Sequence, residues 1–383
     1  MAMTDHTLGL YVHIPFCVRK CAYCDFYSLG YREETARAYV DALIAQIRAN
    51  AGYGRDRTVD TVYFGGGTPS ILATGEIGRI LAALRDTFSV SPDAEITVEA
   101  NPGTVDRAKL DSFRASGVNR LSIGMQSASD EELRTLSRIH TRDDFRHAFF
   151  LSREAGFDNI SVDIMYGLPY QTETRLSDTV DYALGLHPEH ISLYGLKIEA
   201  ETPFGRDPGI GALLPDEDTQ ADMYLKTAEK LEKAGFFQYE ISNFAQKGRE
   251  SRHNLRYWQS RDYLGFGPAA YSCVDGHMFS YPRDLARFLA SAGGGMLGGD
   301  AEVLTENERA TQFVMLALRT ACGVDADEYR RRFGRDFPAE YGDRMKPFLE
   351  SGFLRVENGR FFLSREGMLV SNSILSEILD FTP

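Results

Sequence analysis

Three of the chain's five cysteines fall on one short loop, as Cys17-Val-Arg-Lys-Cys21-Ala-Tyr-Cys24. Soft thiolates grouped so closely are metal ligands before they are anything else. Zinc calls for a fourth protein ligand, and His13, four residues before Cys17, lies back on the preceding strand. A catalytic disulfide leaves one thiol over. An iron–sulfur cluster held by three thiolates keeps one iron open, and an open iron can take a substrate. On spacing alone, a closed zinc knob is the plainer alternative.

The elements that carry this loop are legible as an alternation. Short apolar, β-rich runs at 8–14, 61–64, 95–100, 120–124, 159–166 and 190–198 are separated by amphipathic segments at 33–50, 75–88, 106–115, 130–139 with 143–155, 175–186 and 218–233. That order predicts an α/β fold with a parallel sheet and right-handed crossovers. Six such units suit a partial (β/α)6 barrel or a doubly wound sheet, and in both the loops at the carboxyl ends of the strands carry the ligand. The cysteine loop follows the first strand. Past residue 235 the pattern changes to one further strand (236–244), a Gly- and aromatic-rich stretch (258–281) and helical patterns at 306–319, 327–333 and 366–379. A hairpin at 353–362 turns on Asn358-Gly359. Two domains are therefore expected, 1–235 and a smaller, α-rich 236–383, with the glycine-rich 293–299 as the weakest linker.

Composition narrows the partners. The chain has 383 residues, 43% hydrophobic and 25% charged, as a globular protein of two domains should. Acidic residues outnumber basic ones by 55 to 42, a net charge of −13. So acidic a chain lacks the positive surface that nucleic acid needs, which excludes it as a partner. No apolar run approaches the ~20 residues of a membrane span. The first eight residues are polar and hold no signal-peptide stretch, so a cytoplasmic chain is expected, with thiols free to act as ligands.

The CxxxCxxC loop after the first strand, with Tyr23 just before its third cysteine, resembles that of the radical S-adenosylmethionine enzymes. In those the open iron chelates the amino and carboxylate groups of S-adenosylmethionine, and one electron cleaves the sulfonium to a 5′-deoxyadenosyl radical. The resemblance implies a partial barrel of six βα units. Gly65-Gly66-Gly67-Thr68-Pro69, after the second strand, is similar to the glycine motif that receives the nucleotide's amino group, which places Gly67 and Thr68 at the ligand. Glu99 ends the third strand, where a carboxylate can accept both ribose hydroxyls. Gln126, ending the fourth, offers an amide to the same cavity. Asp163 is an acid in an apolar strand. A buried, unpaired acid costs several kcal/mol, so it needs a partner, and Arg138 is the obvious one; a purely structural ion pair is the alternative.

Tyr11-Val-His-Ile-Pro-Phe-Cys17, the glycine run and the stretch around Asp163 together resemble the oxygen-independent coproporphyrinogen III oxidase family. Carried over, Tyr11, Gly67, Thr68 and Glu99 fall where that family contacts its cluster-bound S-adenosylmethionine. Tyr23, Gln126, Arg138 and Asp163 fall at its remaining nucleotide contacts, where the oxidase holds a second molecule. Two departures stand out: Phe26 occupies the place of the oxidase's fourth cysteine, and only ten residues precede Tyr11. His253-Asn-Leu-Arg-Tyr257-Trp258 is instead similar to the HNxxYW motif of the HemW branch, the haem chaperones, as is the segment 369–373. An imidazole or, less commonly, a phenolate ligates haem iron and an indole stacks on a macrocycle; the plainer reading of the hexapeptide is a buried aromatic corner with a satisfied histidine.

The resemblance thus implies a [4Fe–4S] cluster on Cys17, Cys21 and Cys24, S-adenosylmethionine beside it, and haem at His253, Tyr257 and Trp258. It further implies haem delivery to haem-requiring, often membrane-bound, respiratory enzymes and an electron donor such as flavodoxin. The rivals are a coproporphyrinogen III decarboxylase and, from another class, a zinc-stabilised binding module. Cys273 and Cys322 are expected to be buried small apolar residues, and His187 and His190 to be loop residues.

Overall fold

The computed structural model describes residues 6–291 and 301–379. The expected linker 293–299 lies outside the described residues. Six parallel strands follow one another across the sheet in chain order: β1 (Thr7–Ile14), β2 (Thr58–Gly66), β3 (Ser89–Ala100), β4 (Arg120–Gln126), β5 (Ile160–Tyr166) and β6 (His190–Gly195). Between them run α1 (Glu33–Ala49), α2 (Glu76–Thr87), α3 (Arg107–Ala115), α4 (Asp130–Thr135), α5 (Arg142–Glu154) and α6 (Glu173–Leu184). Among these six strands the order never reverses. A doubly wound sheet needs such a reversal, so the order decides for the partial barrel.

The sheet does not stop at β6. After α7 (Glu217–Lys233) the short strands β7 (Phe237–Gln238) and β8 (Asn243–Ala245) turn back, and β8 pairs antiparallel with β6. The single strand expected at 236–244 is thus two, broken around Glu240, whose backbone bridges to Thr320 instead. On the opposite edge β9 (Tyr263–Phe266) lies parallel to β1, Gly9 facing Tyr263, and β10 (Tyr271–Val274), β11 (His277–Ser280) and β12 (Glu302–Val303) extend the sheet antiparallel. The expected division at residue 235 falls inside this twelve-stranded sheet. A second apolar cluster begins at Ala310 and gathers Phe313, Tyr329, Phe337, Leu354 and Ile374. Its helices, from Glu306–Ala317 to Ser371–Ile378, enclose the hairpin Leu354–Glu357 and Arg360–Leu363, which turns on Asn358 and Gly359 at φ of 50° and 76°. Among the described residues no helix is long and apolar enough to cross a membrane.

What matters for the site is the strand period of two. Leu10 and Val12, Val62 and Phe64, and Ile96 and Val98 pack outward into the main core beneath the helices. The alternate residues, Tyr11 and His13, Thr61 and Tyr63, and Glu95, Thr97 and Glu99, face inward and are polar. The barrel interior is therefore lined for chemistry rather than for packing.

Candidate functional site

Cys17, Cys21 and Cys24 sit on the loop leaving β1, each partly exposed at the carboxyl end of the barrel. The Cys24 thiol is held above its ordinary pKa by burial and, secondarily, by the neighbouring charges of Cys21 and Cys17. The glycine run lies against this loop. Gly67 N–H donates to Ile14 O at 2.9 Å, and a Cβ on Gly67 would stand 2.7 Å from Phe16 O, a contact that only glycine avoids.

A chain of donors then reaches two of the sulfurs. Thr68 Oγ1 donates to Cys17 Sγ at 3.5 Å. Asn101 Nδ2 donates to Thr68 Oγ1 at 2.7 Å, and Asn101 Oδ1 accepts from Arg138 Nη2 at 2.6 Å. The other arm of Arg138 donates to Cys21 Sγ at 3.6 Å, and Nη2 also reaches Gly124 O at 3.1 Å. Tyr23 lies beside Arg138; burial raises its pKa, while the guanidinium pulls it back. Asn101 was missed in the sequence, although it directly follows the third strand's end.

Glu99 is anchored at both oxygens. Tyr63 Oη donates to Oε1 at 2.9 Å and Gly66 N–H to Oε2 at 3.1 Å. Burial nevertheless pushes its pKa up to about 7, with Asp163 adding to the rise. Gln126 is buried at the end of β4 with φ of +65°, a conformation non-glycine residues rarely hold without a reason. A register shift between β4 and β5 at this point turns it inward.

Asp163 and Arg138 do not form the expected ion pair. The acid is satisfied by hydroxyls instead: Ser122 Oγ donates at 3.0 and 3.2 Å and Ser161 Oγ at 3.4 Å. Arg138 spends its donors on Asn101, Gly124 and Cys21. The Asp163 pKa still lies above the usual carboxylate value because of burial, opposed by the serines and by the buried Arg120.

The HNxxYW segment lies at the opposite, amino-terminal end of the barrel. It forms α8 (Arg252–Trp258), whose first N–H groups are received by Glu95: Arg252 N–H by Oε2 and His253 N–H by Oε1, both at 3.1 Å. His253 is fully buried. Its Nδ1 pairs with Thr61 Oγ1 at 2.9 Å and its Nε2 with Tyr257 Oη at 2.7 Å. Its ring stacks on Tyr63 with centroids 5.2 Å apart. Burial and nearby Arg256 lower its pKa to about 3, so the imidazole is neutral. Arg256 is buried too and pairs with Asp60, while Tyr257 and Trp258 are partly exposed. In this arrangement no nitrogen of His253 is open to a haem iron, and the expected haem contact there is not assembled. The plainer reading of the hexapeptide describes His253.

Two further expectations are corrected. Cys322 is exposed and Cys273 only partly buried. His190 is no loop residue but a buried member of β6, Nδ1 on Ser161 Oγ at 2.7 Å and Nε2 on Tyr239 Oη at 2.8 Å.

The family relationships follow this geometry. The Radical SAM superfamily profile matches residues 11–183, and the HemN C-terminal domain profile matches 304–370. The haem chaperone HemW of Bacillus subtilis (strain 168) is 33% identical over 372 residues, covering 96% of this chain and 98% of the relative. This chain belongs to the HemW family. The HemW of Escherichia coli (strain K12) is 40% identical over 268 residues, 70% of each chain. Among solved structures, the Escherichia coli coproporphyrinogen III oxidase HemN, described as a radical SAM enzyme, superimposes with a TM-score of 0.86 at 26% identity, covering 98% of this chain and 91% of that one.

A radical SAM scaffold implies a [4Fe–4S] cluster and S-adenosylmethionine, and the HemW-family mouth described above fits both. Its donor set is soft, with Thr68 and Arg138 aimed at sulfur. Among the described residues no three His, Cys, Asp or Glu side chains gather round one ion position.

Proposed function

We infer that this chain is a haem chaperone on a radical SAM scaffold, in which Cys17, Cys21 and Cys24 hold the cluster and the polar barrel mouth holds S-adenosylmethionine. The observation that carries the reading is the donor chain from Arg138 through Asn101 and Thr68 to Cys17, which binds the glycine loop, the third strand's end and the cysteine loop into one site. The cluster, when bound, supplies an open iron for the amino and carboxylate groups of the nucleotide.

The chain's own residues do the rest. Gly67 and Thr68 hold the amino end against the β1 loop, with Tyr11 nearby. Glu99 uses its two remaining lone-pair positions for the ribose hydroxyls, since Tyr63 and Gly66 occupy only one on each oxygen. Tyr23, Gln126, Arg138 and Asp163 complete the nucleotide's surroundings. Haem is the cargo. The segment His253 to Trp258 takes it with its imidazole once α8 leaves the barrel floor, and with the partly exposed Tyr257 and Trp258 before that. Cytoplasmic residence, haem-requiring respiratory enzymes as recipients and a flavodoxin-like electron donor belong to the same proposal.

Coproporphyrinogen decarboxylation is the second reading, favoured by the likeness to the Escherichia coli oxidase over nearly the whole chain. Phe26, 68% exposed where that family has its fourth cysteine, speaks against it. Anaerobic reconstitution decides between them. Near-equal iron and sulfide, saturable S-adenosylmethionine binding and stable haem uptake without porphyrin formation are expected. Porphyrin product would favour the oxidase, and absence of sulfide would remove both.

A further inference from the structure

The HNxxYW helix lies at the far end of the barrel from the cysteines, yet it touches the nucleotide site through a single ring. His253 is held by three bonds: its N–H donates to Glu95 Oε1, its Nδ1 pairs with Thr61 Oγ1 and its Nε2 with Tyr257 Oη. Against its face lies Tyr63, 5.2 Å between centroids and 24° between planes. Tyr11 completes the stack, 6.3 Å from Tyr63 and 6.5 Å from His253. The Tyr63 hydroxyl ends 2.9 Å from Glu99 Oε1. Nothing in this chain of contacts is loose. A Cβ on Gly65 would meet Tyr63 at 3.0 Å, Glu99 Oε1 at 3.1 Å and Tyr11 at 3.1 Å, so the three groups close around a glycine.

We propose that Tyr63, backed by the buried His253, is the positioning residue that sets the Glu99 carboxylate for the ribose hydroxyls, so that α8 serves the nucleotide site from beneath the barrel. This rests on the reading of Glu99 as the ribose acid. A ring needed only for packing would not require its hydroxyl on a carboxylate. Here that hydroxyl fixes one oxygen while Gly66 N–H fixes the other, which leaves an acceptor position on each oxygen for the two hydroxyls of a vicinal diol. The Tyr63 hydrogen bond also opposes the rise that burial imposes on the Glu99 pKa. Neither Tyr63 nor Thr61 matches a motif, but both are polar residues that alternate with the buried apolar Val62 and Phe64 of the same strand.

The test is calorimetric titration of the anaerobically reconstituted full chain with S-adenosylmethionine and with its 2′,3′-dideoxyribose analogue. Tyr63→Phe keeps the stack and removes only the hydroxyl. It should weaken S-adenosylmethionine about ten-fold, the scale of one hydrogen bond to a charged group, and leave the analogue's affinity unchanged. His253→Ala should produce a similar, diol-dependent loss, and the double variant little more than either alone, because the two act in series. Cluster absorbance reports that each variant is folded and loaded. Wild-type affinity in Tyr63→Phe, or an equal loss for the analogue, would overturn the proposal alone. A wild-type chain that binds neither compound would overturn the nucleotide reading as well.

Discussion

Arg138 Nη1 stands 3.6 Å from Cys21 Sγ while Nη2 holds Asn101 and the Gly124 carbonyl, so one guanidinium links a candidate cluster sulfur to the ends of β3 and β4. A fixed positive charge donating to a thiolate favours the added electron on a cluster.

Arg138→Gln should therefore lower the cluster's reduction potential. A charged hydrogen bond of about 1.5–3 kcal/mol corresponds to roughly 60–130 mV for a one-electron couple. Potentiometric titration followed by electron paramagnetic resonance measures it. An unchanged potential would mean that the arginine acts only through Asn101.

Glu99 predicts a pH dependence of two opposite signs. Its folded pKa is raised to about 7 from the ordinary 4.5. The contribution to stability is thus fully present below about pH 4.5 and is lost as pH rises through 7. Glu99→Gln should flatten that decline, leaving the apo protein about 1–2 kcal/mol less sensitive to the change from pH 5 to pH 8.5 in denaturant melts. Nucleotide affinity should run the other way. It strengthens as the carboxylate ionises between pH 6 and 8, under the influence of Asp163, Arg120, Tyr63 and the Gly66 N–H, and the variant should lose both the affinity and its pH dependence.

Gly67→Ala places a methyl group 2.7 Å from Phe16 O and 3.0 Å from Ile14 O, both backbone atoms that cannot swing aside. The glycine loop must then lift from the cysteine loop. S-adenosylmethionine affinity should fall at least ten-fold with iron content intact, as binding and metal analyses on the same sample would show. Normal affinity would mean that the loop is not the amino-group site.

Haem ligation through His253 and nucleotide binding should oppose each other, since the first needs α8 displaced and the second uses it in place. Saturating S-adenosylmethionine should weaken haem binding, and haem should weaken the nucleotide by the same factor. Glu95→Ala, which removes the acceptor for the Arg252 and His253 N–H groups, should strengthen haem and weaken S-adenosylmethionine. Soret titrations with and without nucleotide measure the coupling. Independence of the two ligands would show that haem is held without moving the helix.

Much of this arrangement was legible in the residues. The order of six strands, the cysteine loop after the first and the glycine run after the second follow from periodicity and motif, because each is a local property. What the sequence hid is what the chain closes over long separations. β9 comes to lie beside β1, and β8 beside β6, through pairings that no local pattern encodes. Asp163 finds Ser122 and Ser161 across and along the sheet, so the expected salt bridge with Arg138 is unnecessary. His253 carries a motif's identity but not its burial, and only the position of α8 beneath Thr61 and Tyr63 shows that both its nitrogens are engaged. The available signal for Thr61, Tyr63 and Glu95 was their period-two polarity within apolar strands.

The pairing of Gly9 with Tyr263 has a consequence for biosynthesis. During translation the leading edge of the sheet is made within the first dozen or so residues, yet its neighbour emerges from the ribosome only about 250 residues later. Until then β1 presents an unsatisfied row of amide and carbonyl groups, the kind of edge on which nascent chains associate. Prolonged pausing or truncation ahead of β9 would leave this protein needing the protection from aggregation that chaperones supply to others.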